Sequence, residues 1–309
     1  MSQILRNSKS KVSARQRLLI SLVEALGGKV SQTDFQKLLF LYSNEVEAEP
    51  SFEFVPYRFG CFSFASYADK RRLIDAGLLK NDEATWQLTE AGEQLSRERD
   101  LTALRISKFA RQYKKLRGAP LIMEVYRRYP YYAIRSEIIE QVLPSAEDRE
   151  KVDAARPPQK KPGLLTIGYE GKSLEMYLNQ LIKAGVTLVC DVRRNPLSRK
   201  YGFSKSTLSE ACKKVGIGYE HLPDLGIASS ERRNISEKED YAELFVAYQK
   251  HSLPKNQAAL DQIQSWIIKG KQRVALTCFE RDPLQCHRHC VAHAIAERTD
   301  KRLIALHLP

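Results

Sequence analysis

The densest chemistry in the chain lies between Cys278 and Cys290, which read CFERDPLQCHRHC. These thirteen positions hold three cysteines, two histidines, two arginines and the acids Glu280 and Asp282. Such a set could bind a metal ion, activate a thiol or grip a phosphate. For a metal, Cys278, Cys286, His287, His289, Cys290 and His293 offer nitrogen and sulfur ligands, and His289 and His293 are spaced as on one helix face. The step from Cys278 to Cys286 is not a zinc-knuckle spacing, however. A small buried cysteine and a satisfied histidine account for Cys290 and His293 more simply, so no metal is expected. For a thiol, Cys286 falls at or near a predicted helix start beside His287 and Arg288, where the helix dipole and positive charge favour thiolate. Cys278 ends a predicted strand, and the two cysteines could form a redox or nucleophilic pair. Core packing for Cys278 and a helix cap for Cys286 are the structural alternatives.

The elements that must position these residues alternate in type. Short apolar runs (LLTIGYEG, VTLVCDVR, IGYEHLP, RVALTCFE, KRLIALHL) read as strands. Between them SLEMYLNQLIKAG, SKSTLSEACKKVG, YAELFVAYQKHSL, NQAALDQIQSWIIKG and CHRHCVAHAIAER read as helices. Ser173 is the expected cap and Gly185 the expected stop of the first helix. This rhythm predicts an α/β domain: a mostly parallel, Rossmann-like sheet with helices on both faces. In such sheets ligands bind beyond the carboxyl ends of the strands. The polar residues directly after the strands are therefore the candidates, in loops expected to converge on one cleft.

Those loops are rich in cations. Arg193, Arg194, Arg199, Lys200, Lys205 and Arg288 stand at the expected ligand edge, with Asn195, His221, Cys278 and His287 beside them. Forked guanidiniums and helix-start N–H groups suit phosphate, so these are the predicted substrate- and phosphate-binding residues. A carboxylate held among arginines, Asp191 or Glu280, is the expected general base or stabiliser of a cationic sugar. Tyr169, Glu170 and Cys286 complete the catalytic candidates. The alternative for Asp191 and Arg193 is that they pair and order their loop. No Walker loop is present and no G-x-G-x-x-G follows a strand, so no cofactor is expected.

The words TIGYEG, DVRRNPLSRKYGFSK, GYEHLPDLG and CFERDPLQCHR stand in that order between about Leu164 and Leu308. Over this stretch the chain closely resembles the bacterial family known as domain of unknown function 488. The resemblance implies a fold and a site without a reaction. Relatives often carry GHS where this chain has Gly168-Tyr169-Glu170, so it looks like the GYEG branch, with one histidine fewer in the cleft.

The first half reads differently. RQRLLISLVEALGG, TDFQKLLFLYSNEV and SYADKRRLIDAGLL are predicted helices, TWQLT a short strand and TEAGEQL a helix capped by Thr89. The pattern resembles a bacterial winged-helix module. It is also similar to the Panacea-type antitoxin domain, whose F-x-P-Y-x-x-G compares with Phe54-Val-Pro-Tyr-Arg-Phe-Gly60. A winged helix can contact DNA or serve as a protein-docking module, and the net charge of +13 favours DNA. From Arg105 to Arg128, the cations Arg105, Lys108, Arg111, Lys114, Lys115, Arg117, Arg127 and Arg128 face one acid, Glu124. Phe109, Tyr113 and Tyr126 are interleaved. This stretch is either a phosphate-tracking helix or a solvated helix face over a buried aromatic stripe.

The 309 residues suffice for two domains. The expected division is a winged-helix-like domain at 1–144, a polar linker at 145–163 (SAEDREKVDAARPPQKKPG) and the α/β domain at 164–309. No bilayer-spanning run is present, and six dispersed cysteines do not form a secreted disulfide framework, so a reducing cytosol is expected. The Arg/Ser-rich start, MSQILRNSKSKVSARQR, leaves a mitochondrial presequence as the minor alternative. The expected function is a nucleic-acid-associated enzyme acting on DNA, RNA or a nucleotide-like phosphate substrate. Hydrolysis at a base or N-glycosidic bond, as in modified-base processing, repair or phage defence, is the most economical chemistry. One alternative is a DNA-binding regulator whose C-terminal domain senses a nucleotide-like ligand. Another is a thiol-dependent enzyme using Cys286.

Overall fold

A computed structural model describes residues 12–97, 101–228 and 238–309. Most of the basic start of the chain lies outside the described residues. The chain divides into two compact units, Met1–Arg156 and Pro157–Pro309.

In the first unit, α1 (Ala14–Ala25) opens on a capping box in which Ser13 and Gln16 satisfy each other's backbone N–H groups. Gly27 and Gly28, both at positive φ, end it. β1 (Lys29–Ser31) leads into α2 (Gln32–Glu45), capped by the Ser31 hydroxyl. β2 (Val55–Tyr57) and β3 (Gly60–Phe62) form an antiparallel hairpin from the aromatic stretch. α3 (Phe64–Asp75) follows, and β4 (Thr85–Gln87) pairs antiparallel with β1. α4 (Glu90–Ser96) is capped by Thr89, as its sequence predicts.

Two expectations for this unit change. The stretch Arg105–Arg128 is not one helix but two, α5 (Leu101–Gln112) and α6 (Gly118–Arg128), parted where Gly118 takes φ +59°. The 145–163 stretch is not all linker either. After the short α7 (Ile139–Val142), residues Ala146–Ala154 form α8, which buries Val152 and pairs Asp148 with Arg127 at 2.7 Å. Acids in its first turn and Lys151 one turn later suit a helix, although the composition resembles a linker.

The second unit holds β5 (Gly163–Gly168), α9 (Leu174–Ala184), β6 (Leu188–Asp191), α10 (Lys205–Lys214), β7 (Gly218–His221), α11 (Lys238–Ala247), α12 (Gln257–Ile268), β8 (Arg273–Cys278), α13 (Arg288–Arg298) and β9 (Leu306–His307). The five strands form one parallel sheet in the order β7-β6-β8-β5-β9. Ser173 caps α9 and Gly185 closes it in the left-handed conformation. The stretch expected as one helix from Tyr241 instead widens into a π turn at Tyr248–Ser252 before α12 begins.

Leu188, Cys190, Val274 and Leu276 pack in one cluster with Leu260, Ile263, Ile267, Val291 and Ile295. The alternate strand residues Leu165, Ile167, Val189 and Ala275 are equally buried. Because successive strand residues point to opposite faces, both faces of the sheet are covered. The predicted helix-flanked parallel α/β sheet is therefore the fold of this unit. Among the described residues, no helix is long and apolar enough to cross a membrane.

Candidate functional site

The chain leaves β6 toward β7 at one edge of the sheet and leaves β8 toward β9 at the other. β6 and β8 are neighbours, so the crevice beyond their carboxyl ends is a topological switch point, the usual ligand position in an open parallel sheet. The loop after β5 closes on the loop after β8: the N–H groups of Tyr169 and Glu170 donate to the Phe279 carbonyl at 3.1 and 2.8 Å. Gly168 permits this approach, since a Cβ there would collide with the Glu280 carbonyl.

Asp191 ends β6 with no exposed surface, and Arg193 beside it is 6% exposed. Arg193 Nε donates to Oδ1 at 2.8 Å and Nη2 to Oδ2 at 2.5 Å, a bidentate pair. Oδ1 also accepts the Arg193 backbone N–H, and Oδ2 accepts the Tyr219 hydroxyl at 2.6 Å. The remaining guanidinium nitrogen donates to the Tyr169 hydroxyl and the Phe203 carbonyl. Tyr169 itself stacks on Phe203, with ring centroids 4.3 Å apart. Burial works against the Arg193 charge, but Asp191 outweighs it and holds the guanidinium above its ordinary pKa. Burial and Asp191 together push the Tyr219 phenol up. Asp191, Arg193 and Tyr169 thus build the floor of the crevice. The pairing that orders the loop is the one observed, and it leaves Asp191 no free oxygen to act as a base.

The groups above that floor are mostly cationic. Lys172 is 5% exposed and donates from Nζ to the Gly168 carbonyl. Burial, followed by the charges of Arg281, Arg288 and Lys200, lowers its pKa from 10.5 to about 8, with Glu170 opposing. Lys200 donates to the Tyr169 carbonyl at 3.2 Å, and burial lowers its pKa too. Arg288, fully buried, ties down the loop after β8 through the carbonyls of Glu280 and Arg281, and its Nε has no partner. Neither Lys172 nor Arg288 forms an ion pair with a carboxylate among the described residues. Glu170 is exposed, accepts the Arg281 N–H at 2.9 Å and lines an open cleft with Arg281, Asp282, Gln285 and His307. Burial and then the charges of Arg288 and His289 lower the His307 pKa.

Sequence reasoning missed Lys172 and Tyr219. Lys172 is legible in hindsight as a cation directly after a strand-end motif, whereas Tyr219 lies within a strand and only the pairing of β6 with β7 brings it to Asp191. Of the remaining predicted phosphate ligands, Arg194 pairs with Asp224 at 2.9 Å, and Asn195 and Arg199 are exposed. His221 meets the Arg193 carbonyl through Nε2 at 2.9 Å and Lys205 through Nδ1 at 3.1 Å.

Cys278, Cys286 and His287 gather behind the β8 loop, each no more than 2% exposed. The expectation of an activated Cys286 does not hold. The residue is extended and lies before α13, which begins at Arg288, and burial followed by Cys278 pushes its thiol well above the ordinary value. Glu280 accepts from Cys278 Sγ at 3.3 Å. His289, Cys290 and His293 stand apart from this group: Cys290 contacts His289, and His293 is exposed near Glu297.

In the first unit, Phe109, Tyr113 and Tyr126 are buried, so the aromatic stripe belongs to the core. Arg105, Lys108, Arg111, Lys114 and Lys115 are exposed. Arg117 caps the end of α5 through two carbonyls, Arg127 pairs with Asp148, and Arg128 pairs with Glu45 at 2.8 Å. The latter three are structural contacts.

No curated protein matches the chain. Residues 173–295, which run from the cap of α9 into α13 and include the loops after β6, β7 and β8, match the model of the family described as domain of unknown function DUF488.

Proposed function

We propose that this protein is a nucleic-acid-directed hydrolase. In this reading the second unit holds a phosphate of a nucleotide-like substrate, and cleavage falls at an N-glycosidic bond. The reading is carried by one observation: Lys172 and Arg288, two buried cations at the ligand edge, lack a carboxylate partner among the described residues. Buried charge without a counterion is costly, and a bound phosphate supplies the missing anion. Lys172, Lys200 and Arg281 would contact it, with Arg288 setting the loop. Glu170, exposed in the cleft beside Asp282, would assist water or a cationic sugar.

The first unit is read as a winged helix that docks on DNA. The order of α1, β1, α2, α3 and β4, the antiparallel pairing of β1 with β4 and the exposed cations of α5 support that reading. A cytoplasmic setting is proposed with it, since all six cysteines are free.

Binding and turnover of labelled duplex, single-stranded and modified-base DNA across a salt series test the proposal. Glu170→Gln and Lys172→Met serve as variants. Salt-sensitive binding with product lost in Glu170→Gln is the expected result, and no binding at low salt refutes it. Binding without product from any substrate transfers the reading to a ligand-sensing regulator. That alternative is favoured by the full occupation of both Asp191 oxygens.

A further inference from the structure

We propose that Cys278, Cys286 and His287 form a three-ligand zinc site at the carboxyl end of β8. The two sulfurs and a ring nitrogen of His287 all lie within 4.8 Å of one another. A tetrahedral zinc with bonds of about 2.3 Å to sulfur and about 2.0 Å to nitrogen or oxygen separates two sulfurs by about 3.8 Å, and a sulfur from a lighter donor by about 3.5 Å. Cys278 Sγ stands 3.9 Å from His287 Nδ1. The Cys278–His287 pair is within about 0.4 Å of the ideal separation, and the 4.8 Å bound on the group leaves at most about 1 Å of side-chain adjustment to form a coordination shell.

The histidine is already oriented for this role. Its Nε2 lies 2.9 Å from the Val192 carbonyl, which can only accept, so Nε2 carries the proton and Nδ1 presents its lone pair toward the thiols. A ligating histidine tied by its other nitrogen to a backbone carbonyl is the common outer support of zinc sites. Two sulfurs and an imidazole select zinc over magnesium or calcium. Binding releases both thiol protons, leaving two thiolates and a neutral imidazole around the ion, with the fourth position open to water. The sequence spacing conceals this arrangement because one ligand ends a strand and two precede a helix. The metal would join the loop after β8 to Val192, the residue directly after β6, at the switch point itself. This inference does not depend on the substrate proposed above.

The test uses the full chain without a histidine tag, expressed with zinc and purified under reducing conditions. Elemental analysis should return about one zinc per chain. Replacement by cobalt(II) should give sulfur-to-cobalt charge-transfer absorption in the near ultraviolet and the visible bands of a tetrahedral ion. Cys278→Ser and Cys286→Ser should each weaken the charge-transfer absorption and the double variant should abolish it, whereas Cys212→Ser, in α10, should retain it in full. Failure of wild type to hold zinc or cobalt, or an unchanged cobalt spectrum in the double Cys278→Ser, Cys286→Ser variant, overturns the proposal. Should those variants not fold, X-ray absorption of the zinc-loaded wild type decides. Two sulfurs at about 2.3 Å support the site, and a shell without sulfur refutes it. A mass lower by two hydrogens in protein kept under reductant, marking a Cys278–Cys286 disulfide, also counts against it.

Discussion

The Tyr219 hydroxyl lies 2.6 Å from Asp191 Oδ2, on the side of the carboxylate that the Arg193 fork leaves open. Three residues from two adjacent strands and one loop thereby close a buried network with no solvent contact at the carboxylate. Removing one member leaves the others desolvated and uncompensated. Asp191→Ala should destabilise the second unit by about 3–5 kcal/mol, measurable by urea unfolding, because Arg193 is then a buried unpaired cation. Tyr219→Phe should cost about 1–2 kcal/mol. An Asp191→Ala protein of unchanged stability that had lost only turnover would restore Asp191 as a catalytic group.

Lys172 gives the cleft a pH dependence of known sign. Its amine is protonated below about pH 8 and neutral above, and a bound anion favours the protonated form. Affinity for a nucleotide monophosphate should therefore fall as pH rises through about 8, and Lys172→Met should flatten the profile. Calorimetric titrations on either side of that value measure it; equal affinities in wild type exclude Lys172 from the site. Stability runs the other way. Between about 8 and the ordinary 10.5 the unfolded chain binds more protons at this lysine, so its contribution to stability increases with pH across that window.

Arg105, Lys108 and Arg111 recur at three-residue spacing on α5 and are exposed. If they neutralise three phosphates, replacing all three with glutamine should reduce the slope of log K against log salt by about 2.7 for duplex DNA. Fluorescence anisotropy at four or more salt concentrations reads this directly. An unchanged slope places the nucleic-acid contact elsewhere. The same replacement should hardly alter the melting temperature, because these side chains are solvated.

All six cysteines are buried and free. Under native reducing conditions followed by rapid removal of reductant, a thiol reagent should find almost none of them, and in denaturant all six. Cys286 labelled rapidly in the folded chain would revive thiol catalysis. Labelling of Cys286 confined to the denatured state would remove it.

The parallel sheet was legible because continuous apolar strands alternate with capped amphipathic helices, and Ser173 and Gly185 mark one helix to the residue. The loops at the carboxyl edge followed from that topology. What each side chain does within them did not follow, because roles there depend on pairing across strands. Asp191 and Arg193 look in sequence like an acid among phosphate ligands, and only burial and the presence of Tyr219 reveal a closed ion pair. Cys286 does stand next to a helix start, directly before the N-cap of α13, but the 3-10 turn at Pro283–Gln285 leaves it extended and the fold buries its thiol, which its neighbours in sequence do not reveal. The α8 segment was hidden by its polarity, since a helix that buries one valine and pairs its charges has little apolar periodicity.

The central place of β8 bears on how the second unit is made. Among the described strands, β5 pairs only with β8 and β9, both synthesised after β7, whereas β6 and β7 can pair as soon as they emerge. A growing chain therefore holds β5 without a partner and β6 with an open edge until Arg273–Cys278 has left the ribosome. Exposed edges of this kind template pairing with other chains. Premature termination before Cys278 should yield an aggregating fragment rather than a smaller folded domain.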